Sequence, residues 1–141
     1  MKKLLSLLLF SVSLFALEPT SQTIDAVKRG DLKAVASLVK TKEEANAALA
    51  NGKNLLMLSV WEGKKEIVLY LISKGADVNK ADNSGKTPLM LAVWRENLDI
   101  TKLLVSKGAD KSIKNKEGLG AAEIAELTGD GDLIDYINSL K

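Results

Sequence analysis

The 141-residue chain contains neither cysteine nor histidine. The first absence excludes disulfides, thiolate nucleophiles, cysteine-bound metals and a lipid-modified cysteine. The second removes the commonest general base and metal ligand. Charge of one sign is also missing. There are 20 Lys+Arg against 18 Asp+Glu, and two of the lysines fall in Met1–Ala16, which has no acid, so the remainder carries 18 of each. No global basic field is left to draw in nucleic acid. Aromatic residues make up only 4% of the chain, so its two tryptophans, Trp61 and Trp94, are the more conspicuous. A fold without disulfides must hold together by packing alone.

One long apolar run is present. MKKLLSLLLFSVSLFA opens with Lys2 and Lys3 and is then apolar from Leu4 to Ala16, interrupted by Ser6, Ser11 and Ser13. About 13 residues is too short for a bilayer, which needs roughly 20, but suits the core of an export signal. Residues 1–16 are therefore read as a bacterial signal peptide, with cleavage after Ala16, although Leu14 is large for the position two residues earlier. An uncleaved anchor and a buried first helix are the alternatives. LEPTS, residues 17–21, reads as a linker.

Beyond it the chain repeats. KGAD occurs at Lys74–Asp77 and again at Lys107–Asp110, a shift of 33. The same shift carries Gly52 to Gly85 to Gly118, Trp61 to Trp94, Leu71-Ile72 to Leu104-Val105, and Leu56-Met57-Leu58 to Leu89-Met90-Leu91. It carries Ala92 to Ala125, and running backward it places Gly30 on Gly63 and Leu38-Val39 on Leu71-Ile72. Each unit has the same logic. Asp82-Asn83-Ser84-Gly85 is a turn signal, Thr87 an N-cap and Pro88 a first helical residue. Leu89, Ala92 and Val93 form a narrow apolar stripe. A second helix places Ile100, Leu103 and Leu104 on one face and stops at Gly108. Two helices this short cannot cover their own apolar faces, so neighbouring units must stack.

In these residues, from roughly Asp25 to Ile137, the chain resembles the ankyrin-repeat family. DNSGKTPLMLAVWRENLDITKLLVSKGAD follows the family pattern of turn, TPL-x-LA, helix and GAD most fully. The resemblance implies an all-α solenoid of stacked helix pairs with projecting β-turn fingers and a concave face that binds protein. Residues 22–141 form that domain: a first capping unit over 22–51, repeats over 52–84 and 85–117, and a closing unit over 118–141. Four departures carry expectations. Met57 and Met90 replace the usual histidine, removing its hydrogen bonds at the helix start. Glu96 stands where Gly30, Gly63 and Gly129 stand, which predicts a strained inter-helix turn. Asn54-Leu55 in place of Thr-Pro predicts a weaker helix start. KEEANAALAN, 42–51, predicts a short helix instead of a finger, with Thr41-x-x-Glu44 as a capping box.

Some motifs imitate chemistry. SGKT at Ser84–Thr87 looks like the tail of a phosphate-binding loop, but the glycine required five residues before Gly85 is Lys80. TGDGDLID, Thr128–Asp135, suggests calcium, yet the twelfth position counted from Asp130 is Lys141 where a bidentate Glu is needed. Asp130 and Asp132 fit the start of the last helix better. Lys107, Lys111, Lys114 and Lys116 form a basic edge with acids interspersed, which reads first as a solvated face and second as a contact for an acidic partner. An open stack gives carboxylates no water-poor pocket to shift their acidity. No catalysis, cofactor, metal or small-molecule substrate is expected.

The tryptophans remain. At about 100° per residue, Trp94 lies roughly 140° from Leu89 and 160° from Ala92, off the stripe that meets the second helix, and only about 40° from Met90. Met57 and Trp61 repeat the arrangement. Two readings stay open: the rings brace the seam between units, or they anchor a partner in the concave groove, where tryptophan and arginine are favoured. The same register adds Lys28, Glu62, Arg95 and Leu127 to the groove, and the well-formed finger adds Asn83, Ser84 and Lys86. The expectation is an exported, monomeric, non-catalytic module that binds another protein, with no nucleic acid. The resemblance extends this to an accessory of an envelope or peroxide-defence enzyme, and the lack of histidine argues against haem held in the usual way. The alternative is a membrane-anchored scaffold that retains its first segment and touches the membrane only there.

Overall fold

A computed structural model of the chain describes residues 18–141. The signal-peptide reading of 1–16, and Leu17, lie outside the described residues. Of the segment read as a linker, Thr20 caps the first helix with its side chain, accepting from the Thr23 N–H at 3.2 Å, and Ser21 opens that helix.

Four helix pairs follow one another: α1 (Ser21–Arg29) with α2 (Leu32–Leu38), α4 (Leu55–Trp61) with α5 (Lys65–Ser73), α6 (Pro88–Trp94) with α7 (Leu98–Ser106), and α8 (Ala121–Thr128) with α9 (Gly131–Ser139). Between the first two pairs lies α3, Lys42–Ala45, a single turn closed by the expected capping box of Thr41 and Glu44. The first helices pack in a row, α1 on α4 on α6 on α8, with close backbone approach at every step. In the second layer, α2 against α5 is the pair that approaches comparably. A stack held more tightly along one layer curves toward it, which leaves the first helices on the inner wall.

The core is the repeat made solid. Leu56, Val60, Leu71, Ala92, Val93, Leu104 and Leu133 are all fully enclosed, and one continuous apolar cluster runs from Ala26 to Ile137. Buried polar groups are answered locally: Ser59, in register with Ala92, turns its hydroxyl back to the Leu56 carbonyl at 2.8 Å. Tyr70 reaches across units and donates to the Val39 carbonyl at 2.7 Å, closing the end of α2.

Two ladders of hydrogen bonds join the units. In one, Asn46 donates to the Gly75 carbonyl at 2.9 Å and accepts the Asp77 N–H at 2.8 Å. Thirty-three residues on, Asn79 does the same to Gly108 and Asp110, at 3.1 and 2.8 Å. The other ladder joins the fingers. The Asn83 N–H donates to the Asn51 carbonyl, and the Lys116 N–H to the Ser84 carbonyl, both at 3.0 Å.

That second ladder corrects one expectation. The 42–51 segment does contain a short helix, but it runs on into a finger, with Leu49 N–H to Lys53 carbonyl and Gly52 N–H to Leu49 carbonyl both at 2.8 Å. Asp82–Lys86 and Asn115–Leu119 close identically, so three fingers stand in a row where the sequence showed one. Leu49 cannot brace its turn as the carboxylate of Asp82 does, and Asn51 substitutes, accepting the Lys53 N–H at 3.0 Å. Gly52 is required there: φ is +79°, and a Cβ would lie 2.6 Å from Asn83 Oδ1. The predicted weakness of the Asn54 helix start is also absent. Asn54 Oδ1 accepts the Met57 N–H at 2.9 Å, against 3.4 Å for Thr87 and Met90, in keeping with asparagine's greater strength as a cap. Glu96 does adopt the left-handed conformation, with φ 53°.

Candidate functional site

The first helices and the three fingers enclose a cleft of about 630 Å³. Its floor comes from register positions on the inner helices. Met57 and Met90 are buried there, and Leu58, Leu91 and Ile124, each 33 residues apart, line it beside them. The methionines therefore do not stand out beside the tryptophans, as the helical angle alone suggested. They form the floor, while Trp61 and Trp94, one turn later, form the rim.

The tryptophans are 39% and 53% exposed. Neither belongs to the seam inside its own helix pair, and both line the cleft. They differ in cover. The Arg95 guanidinium lies over the Trp61 ring, 4.8 Å from its centroid, so the neighbouring unit braces Trp61 by a cation–π contact. The bracing reading holds for Trp61, which helps join two units, and both rings face the groove.

Of the other residues expected here, Lys28, Ser84 and Lys86 line the cleft. Four do not. Arg95 lies against the Trp61 ring. Asn83 joins two fingers, its side chain donating to the Ala50 carbonyl at 3.0 Å and its backbone to Asn51. Glu62 ends α4, half-buried, with its N–H on the Leu58 carbonyl at 2.9 Å. Leu127 continues the tryptophan row beyond the cleft and is 63% exposed.

The finger side of the cleft carries Lys53 and Lys86, one repeat apart, and Glu117 on the last finger. Asp82 also lines it but is buried, with Oδ1 accepting the Ser84 and Lys86 N–H groups at 2.8 and 3.0 Å. Through that oxygen its carboxylate shapes the finger. Pro19, Ile24, Leu49, Lys53 and Leu119 were missed as lining residues. Lys53 and Leu119 share the register of Lys86, and Leu49 that of Asp82, so the repeat itself held the signal.

Elsewhere, the motifs that imitated chemistry have structural roles. Asp130 caps α9, Oδ1 accepting the Leu133 N–H at 3.1 Å. On the basic edge, Lys114 pairs with Glu123 at 2.6 Å, and Lys111 donates to the Leu140 carbonyl at the end of the chain.

No curated protein matches this chain. A family profile described as ankyrin repeats (3 copies) matches residues 23–115, more than half the chain. The match runs from Thr23 in α1 through the third helix pair, takes in the first two fingers, and ends at Asn115, the first residue of the third. On that match, with the helix pairs stacked in one register, the chain belongs to the ankyrin-repeat family.

Proposed function

We propose that this chain is an exported, non-catalytic interaction module that receives a partner protein in the groove between its inner helices and its fingers. Ankyrin repeats are generally protein–protein interaction modules and typically non-catalytic. The observation that carries the reading here is the pair of half-exposed indoles. Tryptophan is the most expensive side chain to leave in water, carrying roughly 150–250 Å² of buriable surface. Two on one rim, above an apolar floor, match the anatomy of a protein-binding hot spot.

Export rests on Lys2, Lys3 and the apolar run Leu4–Ala16, and the location proposed is the periplasm. Service as an accessory to an envelope or peroxide-defence enzyme rests on family resemblance alone.

The test is affinity purification from the envelope fraction, wild type against a Trp61→Ala, Trp94→Ala double variant. The proposal expects one defined protein to be retained by the wild type and lost from the variant, with helical signal and melting largely unchanged. Loss of capture only in step with a collapsed melting temperature reduces the rings to braces. Sequencing the N-terminus of the same material tests export: a start at Leu17 supports release, and an intact Met1 supports the anchored scaffold. Among the described residues no helix is long and apolar enough to cross a membrane, so anchoring would depend on Leu4–Ala16.

A further inference from the structure

Taking the groove as the partner-binding surface, we infer that its occupant is an amphipathic α-helix with an acidic flank, lying across the repeats.

The shape comes from the row of rim residues. Lys28, Trp61, Trp94 and Leu127 are 33 residues apart and occupy the same place on α1, α4, α6 and α8. Those helices stack directly on one another, so successive rim positions lie one helix-packing distance apart, about 8–10 Å. A helix laid along the row rises 1.5 Å per residue and returns the same face to the rim every two turns, about 10 Å on. Apolar residues at i, i+7 and i+14 of its stripe therefore meet Trp61, Trp94 and Leu127 in turn. An extended strand fits poorly. It covers about 10 Å in three residues, and residues three apart point to opposite faces. The fingers discourage strand addition as well, because the Asn83 and Lys116 N–H groups already donate to the preceding finger.

The charge comes from the lysines. Lys53 and Lys86 stand one repeat apart on the finger side, and Lys28 stands at the end of the rim; all three are exposed and line the cleft. Among the described residues the one salt bridge is Lys114–Glu123, so these three ammonium groups have no carboxylate of their own. Against them the cleft offers two carboxylates, Glu117 and the buried Asp82, whose Oδ1 is held by finger N–H groups. The chain without Met1–Ala16 is formally neutral, which makes the excess a local property of the groove. Acidic residues one heptad apart on the finger-facing flank of the occupant would meet Lys53 and Lys86 together. Charges so placed set specificity and encounter rate more than total affinity.

The probe is a synthetic amphipathic peptide of about 20 residues, long enough as a helix to span roughly 30 Å, with leucines on one face and glutamates on one flank. Binding is followed by the emission of Trp61 and Trp94, the chain's two tryptophans, and by a label on the peptide. The expected result is a blue shift and saturable binding. A lysine-flank peptide of the same pattern should bind about tenfold more weakly at low salt, and Lys53→Glu with Lys86→Glu should reverse that order. A peptide of identical composition broken by central prolines should lose most of its affinity. Equal binding of the two charge forms, indifference to the lysine reversal, or full binding by the proline peptide overturns the inference. So does a preference for anionic vesicles or a single-stranded oligonucleotide over the acidic helix.

Its failure is separable from that of the groove itself. If every peptide fails while the double tryptophan variant still loses its envelope partner, the groove stands and the acidic helix falls. If capture survives the tryptophan substitutions, the groove falls with it.

Discussion

The second and third units carry the most complete matches in the repeat, and the turn after each tryptophan is where their comparison teaches most. Trp61-Glu62-Gly63 and Trp94-Arg95-Glu96 fold identically. The Gly63 and Glu96 N–H groups donate to Val60 and Val93 at 3.1 and 2.9 Å, and the Lys64 and Asn97 N–H groups to Ser59 and Ala92 at 2.9 and 3.0 Å. Gly63 and Glu96 are both left-handed, at φ 69° and 53°. The stack sets this backbone, and Glu96 accepts a conformation that costs a side-chain-bearing residue about 1–2 kcal/mol. The exposure of the tryptophans follows from the residue one unit further on. Arg95 covers Trp61. The residue in register with Arg95 beside Trp94 is Thr128, whose hydroxyl turns back to the Ala125 carbonyl at 2.8 Å. Trp94 is the more exposed ring because its neighbour is too short to reach it.

The largest effect expected tests whether the two units also carry equal weight in the core. Leu71 and Leu104 occupy the same register position and are both fully buried. Truncating either to alanine should cost about 2–5 kcal/mol, as for other large-to-small core changes, measured by urea unfolding. A cost below about 1 kcal/mol for one of them would show that its unit is not gripped by its neighbours.

Much of this was legible before any coordinates, because a fixed repeat translates sequence register into position. The helix pairs, the inner and outer faces, the strain at Glu96 and the outward tryptophans all follow from spacing and helical angle. The first finger escaped because Leu49 lacks the braced-turn chemistry of Asp82 and Asn115, although Asn51-Gly52 carried a turn signal of its own. The asparagine ladder escaped because Asn46 and Asn79 bond to units other than their own, and a single helical wheel does not contain the neighbour. The groove floor at Leu58, Leu91 and Ile124 was missed for the same reason. The Arg95 contact with Trp61 likewise depends on how far one unit reaches over the next.

Exchanging the turn residues sharpens the comparison at the next level. Glu96→Gly relieves left-handed strain but returns flexibility to the unfolded chain, so the net gain should be about 0.5–1 kcal/mol. Gly63→Glu should lose about 1–2 kcal/mol. Room is not the issue, since a Cβ at Gly63 would meet nothing nearer than Asn97 Nδ2 at 3.7 Å. Thermal melting of the two variants checks the signs; a tolerated Gly63→Glu would mean that the strain at Glu96 is offset by something other than the stack.

A smaller effect is expected from the cover itself. Arg95→Ala should cost about 0.5–1 kcal/mol, the worth of an exposed cation–π contact, and shift tryptophan emission to the red. Thr128→Arg should do for Trp94 what Arg95 does for Trp61, protecting it from an added quencher. If neither substitution changes quenching, the difference in exposure does not come from the neighbouring unit.

The smallest effect sets the ends of the stack against its middle. The central helices α4 and α6 are capped by Asn54 and Thr87, which do not titrate. The end units use carboxylates. Glu44 accepts the Lys40 and Thr41 N–H groups at 2.7 and 3.0 Å, and those backbone donors hold its pKa below the usual carboxylate value. The pKa of Glu123 is held down to about 2, first by its hydrogen bond to Lys114 and then by backbone donors including the Gly120 N–H, which it binds at 2.9 Å. A carboxylate lowered by folding stabilises the folded state above its unfolded value, here near 4.5, and that contribution disappears as pH falls from there toward about 2. Acid should therefore loosen the first and last units before the middle ones. Hydrogen exchange, corrected for intrinsic rates, should show protection falling in α3 and α8 while α4 and α6 hold. Glu123→Gln should lower protection of α8 at neutral pH and remove its acid dependence there. Simultaneous loss across all the helices would mean that the stack opens as one cooperative body, and that the different caps at its ends and middle do not divide it.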